Sequence, residues 1–213
     1  MSENFVTTIL ELDPETNSEI ADHVLADVDW AELAEMLGIE EDEAEAESAC
    51  YDLDAEDMAL LAGRFNLQYQ PGVCSGRLST WVGVAGRPYT LHTNRELWMM
   101  LRGEKPFAAF LDEEGFTETI GFGGQPFQTY VDQGRLVRYD RYFEVKGQRL
   151  HRVLFALPGE EWRFKAYELI WDLGLGGWND TFERMEGRLL GYEDWQTDWH
   201  LANRRAFDLP DHK

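Results

Sequence analysis

Between Gly38 and Asp57 the chain carries ten carboxylates and no Lys or Arg: Glu40, Glu41, Asp42, Glu43, Glu45, Glu47, Asp52, Asp54, Glu56 and Asp57. Acids at this density can hold a divalent cation or present a negative field to a basic surface. The first use is poorly supported. Asp52, Asp54 and Glu56 alternate like the opening ligands of a calcium-binding loop, but its sixth position needs Gly and holds Asp57. Its twelfth needs a bidentate Glu and holds Gly63, so neither a metal nor another cofactor is expected. The second use fits better. Duplex DNA presents about one negative charge per 1.7 Å of axis, and a helix rises about 1.5 Å per residue. One carboxylate every two or three residues on several helices therefore approaches a phosphate lattice, and the ten acids are the expected contacts for a basic partner. A solvated face, or docking on arginines of the same chain, would use the same residues without a partner.

Catalytic patterns are sparse. Asp132 followed by Glu144 and Lys146 in an E-x-K order is the residue set of a metal-dependent nuclease, with carboxylates for Mg²⁺ and a lysine for the attacking water. The same "EVKG" also suits a strand end and a Lys-Gly turn. His92, His151 and His200 show no zinc spacing, and no nucleophile elbow or phosphate-binding glycine loop is present. Trp98, Trp162, Trp178, Trp195 and Trp199 offer stacking surfaces or core anchors, and Trp178 in "GGWND" is the loop candidate for a ligand contact.

Charge is segregated along the chain. Residues 1–63 hold 20 Asp or Glu and no Lys or Arg, whereas residues 64–213 hold 21 acids against all 19 bases. General acidity would spread over every surface, so this distribution predicts an acidic module, 1–63, appended to an α+β domain, 64–213. "DWAELAEMLGIEED" has the outline of half a helix-turn-helix, but without a base before Arg64 it lacks the phosphate contacts for direct DNA binding. Cys50 and Cys74 have no disulfide or metal spacing, and no apolar run approaches the roughly 20 residues of a membrane span. A cytoplasmic protein is expected.

The elements follow from punctuation and periodicity. Three short helices are predicted in the acidic module: one from Asp13-Pro14 with Ile20, Val24 and Leu25 on a side, one with Trp30, Leu33 and Leu37 closed by Gly38, and one capped by Asp54 with Asp57. The acidic, alanine-rich residues 39–50 between them read as loop, because like charges at i and i+4 repel. Then come short strands at "RFNLQYQ", "RLSTWVGVAG" and "PFAAFLD" and a helix at "NRELWMMLRG". Residues 127–158 read as three strands of an antiparallel meander turning at Asp132-Gln133-Gly134 and Lys146-Gly147. Three C-terminal helices follow, the first with an apolar stripe of Trp162, Ala166, Leu169 or Ile170, and Leu173. The predicted class is α+β, with these helices packed on one sheet face. The preferred function is a non-enzymatic protein that occludes a basic, nucleic-acid-binding surface of a partner. The alternatives are a nuclease-like enzyme on the second domain and a subunit for protein assembly.

Overall fold

The computed structural model describes residues 5–25, 28, 30–39, 50–67, 75–82, 88–114 and 125–204. They belong to two compact units, Met1–Thr90 and Leu91–Lys213, each built on its own antiparallel sheet. The α+β class is as expected. The first unit runs past the charge boundary at Gly63, because the strand Ser75–Val82 hydrogen-bonds to two strands that precede it.

In the first unit β1 (Phe5–Leu12) and β2 (Glu19–Leu25) form a hairpin, followed by α1 (Trp30–Leu37), β3 (Cys50–Leu53), α2 (Ala55–Phe65) and β4 (Ser75–Val82). The sheet order is β2-β1-β4-β3. This corrects the expectation of a purely helical module. Asp13-Pro14 does not start a helix: the Asp13 carboxylate accepts hydrogen bonds from the Thr16 N–H and hydroxyl, both at 2.7 Å, and Asn17 turns at φ 52°. Aspartate before proline suits a turn as well as a helix start, and the pairing of Glu19–Leu25 with β1 decides between them. The other two helices stand where their periodicity put them. Ile9, Leu25, Leu53 and Leu78 of the sheet pack against Leu33 of α1 and Met58 and Leu61 of α2.

The second unit contains α3 (Glu96–Leu101), β5 (Phe107–Glu113), α4 (Phe127–Asp132), β6 (Val137–Val145), β7 (Gln148–Ala156), α5 (Trp162–Gly174), α6 (Asp180–Leu190) and α7 (Asp194–Asn203). Its sheet order is β5-β7-β6. The β6–β7 hairpin turns at Lys146-Gly147, with φ 51° and 82°, as its sequence implies. The first strand of the predicted meander is instead the helix α4. Its Phe, Thr, Tyr and Val favour strands, but Phe127 and Tyr130 are three apart and both reach the core, so packing overrides propensity.

Central β7 is buried at every residue from His151 to Ala156, which marks a strand covered on both faces. On one face Ala108, Val153 and Phe155 meet Leu97 and Met100 of α3 and Phe127 and Tyr130 of α4. On the other, Phe107, Leu154 and Ala156 meet Phe164, Tyr167 and Ile170 of α5 and Leu189 of α6. The C-terminal helices α5 and α6 therefore share one face as expected, and α3 and α4 cover the other. The stripe read on α5 also splits. Ile170 faces the sheet, but Trp162, Leu169 and Leu173 are 56%, 59% and 59% exposed. The helix carries a second apolar face, Phe164, Tyr167 and Trp171, and its larger aromatic area took the sheet.

Candidate functional site

Of the ten predicted contact acids, Glu40, Glu41, Asp42, Glu43, Glu45 and Glu47 lie outside the described residues. In sequence they lie between α1, which ends at Leu37, and β3, which begins at Cys50. Asp52, Asp54, Glu56 and Asp57 are placed at the β3–α2 junction. Asp52, on β3, faces Arg77 of β4 in register and accepts from its Nε at 2.8 Å, with its side chain 80% exposed. Asp54 is the N-cap of α2: Oδ1 accepts from the Glu56 and Asp57 N–H groups at 2.7 and 2.9 Å. Asp57 completes the capping box by accepting from the Asp54 N–H at 3.1 Å. Glu56 and Asp57 also sit in the first helical turn, where the macrodipole favours anions. Two of these four acids thus have a local folding role, one is ion-paired, and Glu56 is an exposed acid in the first turn. A further pair, Arg64 with Glu32 at 3.1 Å, links α2 to α1.

The alternative catalytic residues lie on α4, on β6 and in the β6–β7 turn. Asp132 ends α4 and accepts from Gln128 Nε2 at 2.7 Å, Glu144 lies opposite Arg149 on exposed strand ends, and Lys146 is the first residue of the hairpin turn. Among the described residues no group of three or more His, Cys, Asp or Glu side chains is placed to hold a metal ion.

Three polar clusters in the second unit escaped the sequence reading because their members lie far apart in the chain. Lys105, 2% exposed, donates to the Leu190 carbonyl at 2.7 Å and lies 3.2 Å from His92 Nδ1, while the His92 and Tyr192 rings stack at 3.9 Å. Burial lowers Lys105 to about 8, with Glu96 opposing the shift and Arg163 adding to it. Burial and the Lys105 charge lower His92 to about 4. Arg152, beneath Phe143 and Trp171 at 4.8 and 4.9 Å, donates to Glu168 Oε1 at 3.1 Å, and the other Glu168 oxygen accepts from Arg141. Finally, His151 Nε2 meets Asp140 Oδ1 at 2.7 Å. Burial opposes ionisation of Asp140, but hydrogen bonds from Arg138 and His151 outweigh it and hold the carboxyl below its usual range.

A histidine oriented by a carboxylate is half of a general-base arrangement. Here, however, the His151 side chain is 1% exposed and Tyr142 stacks on it at 4.1 Å, which leaves no approach for a reacting atom. Lys105 is closed off in the same way. These clusters tie elements together. Trp178 also proves to be a packing residue, set 5.0 Å from the Trp171 ring and 5.7 Å from Phe182, with its indole N–H on Glu183 at 2.6 Å.

Comparison with protein-family models, with curated proteins and with solved structures finds no match for this chain. No helix among the described residues is long and apolar enough to cross a membrane.

Proposed function

We propose that this is a non-enzymatic acidic binding protein whose first unit occludes the basic, nucleic-acid-binding surface of a partner. Charge segregation carries the reading. The first unit holds 20 carboxylates against three arginines, Arg64, Arg77 and Arg87, a formal net of −17, whereas the second holds 21 acids against 16 bases, a net of −5. Arg64 pairs with Glu32 and Arg77 with Asp52, and three arginines against 20 carboxylates leave most of the negative charge uncompensated within the unit. The acidic field belongs to residues 1–63, and the fold that carries it continues to Thr90. Binding draws its free energy from ions released by the partner's Lys and Arg, so affinity falls steeply with salt. Two cysteines at no disulfide spacing suit a reducing cytoplasm.

The test is capture of a basic partner from lysate by the full chain across a salt series, with duplex DNA as competitor. Replacing Glu40, Glu41, Asp42, Glu43, Glu45 and Glu47 by their amides removes six charges. At about 0.3 kcal/mol per exposed charge the loss is about 2 kcal/mol, or about 30-fold in affinity. Glu144→Gln with Lys146→Ala leaves capture unchanged. Retention that persists at about 1 M salt, where screening acts within about 3 Å, or that ignores the six amides, rules out the electrostatic reading.

A further inference from the structure

On α5, Trp162, Ala166, Leu169 and Leu173 fall at i, i+4, i+7 and i+11, within a sector of about 60° and along about 17 Å of axis. Trp162, Leu169 and Leu173 are each more than half exposed, while Ala166 between them is partly buried against the core, so these three large side chains have no cover among the described residues. Lys165 and Asp172 lie together on one flank of it, about 40° to 60° from Leu169, one before and one after that residue. Lys165 has no ion pair among the described residues. Asp172 accepts from Arg141 at 3.2 Å yet keeps 54% of its side chain exposed, and a carboxylate has room for further donors.

We infer that this face is the contact of an antiparallel homodimer, with a second copy of this chain seated across a two-fold axis near Leu169. A two-fold axis perpendicular to the helix reverses its direction but keeps each flank on its own side. Lys165 of one copy, four residues before the centre, is then brought beside Asp172 of the other, three residues after it. The relation repeats in reverse, which gives two identical ion pairs beside a Leu169–Leu169 contact. Each Trp162 extends past the partner's Leu173 toward the Gly176-Gly177 turn. Opposite charges set about an apolar centre on one flank are the self-complementary pattern of an isologous interface. A foreign partner would not require that symmetry. One helix face per copy buries less than about 1,200 Å² in total, which places the dimer among the small, transient interfaces, so its association is expected to depend on concentration.

Sedimentation velocity of the full chain at about 0.15 M salt, from about 1 to 200 μM, tests the assignment. The native chain is expected to shift from monomer to dimer across the series, and Leu169→Glu to stay monomeric with an unchanged circular dichroism spectrum. Lys165→Asp and Asp172→Lys should each weaken self-association more than tenfold. An equimolar mixture of these two single variants should dimerise again, because both ion pairs of the mixed dimer are then complementary. A native chain that is monomeric throughout overturns the inference, as does a dimer indifferent to Leu169→Glu or a mixture no better associated than either variant alone.

Discussion

Lys105→Met should abolish a rise in stability that the native second unit shows between pH 8 and 10.5. In the unfolded chain this lysine holds its proton up to 10.5, whereas in the fold burial lowers the value to about 8. Between those values the unfolded state binds a proton that the native state has released, so stability increases with pH. A shift of 2.5 units at about 1.4 kcal/mol each amounts to about 3 kcal/mol. The side chain is 2% exposed, so solvent screening takes little from that figure. At neutral pH the two proteins should differ little. Methionine escapes the burial penalty but leaves the Leu190 carbonyl without its donor at 2.7 Å, a loss of about 1 to 3 kcal/mol. The divergence should therefore appear only in alkali. In acid the slope has the same sign: His92, lowered from 6.5 to about 4, makes the native protein lose stability as pH falls through that window. In Lys105→Met that window narrows, because the neighbouring positive charge is gone. Urea unfolding followed by tryptophan fluorescence reads this unit well, since six of the eight tryptophans lie after Leu91. Parallel stability curves for the two proteins from pH 8 to 10.5 would refute the assignment of a charged, desolvated lysine.

Two further substitutions test how the elements are held. Asp54→Ala removes an N-cap that serves two N–H groups and one side of a capping box, so the first unit should lose about 1 kcal/mol, measured as a lower thermal midpoint. An unchanged midpoint would show that the cap is dispensable. Gly191→Ala places a methyl group 2.7 Å from Pro106 Cδ at a residue with φ 90°, and both strain and overlap oppose it. A loss of about 2 to 3 kcal/mol in urea unfolding is expected, and a loss below about 0.5 kcal/mol would mean that the α6–α7 turn relaxes freely.

Signals that act within about four residues were legible in the chain. The Asp54–Asp57 capping box, the Lys146-Gly147 turn and the helices α1, α2 and α5 to α7 all stand where residue types and spacing put them. The imbalance of charge between the two parts of the chain is likewise a property of sequence alone, and it supports the functional reading independently of the fold. Tertiary structure decided what local chemistry left open. Asp13-Pro14 became a turn because β1 was available to pair with Glu19–Leu25, and Phe127–Asp132 became a helix because two of its aromatic side chains filled a core beside β7. The Lys105, Arg152 and His151 clusters joined residues distant in sequence, whose desolvation exists only once the surrounding layers close. Which apolar face of α5 turned inward followed from the area each could bury against the sheet, a competition that no periodicity within the helix could settle.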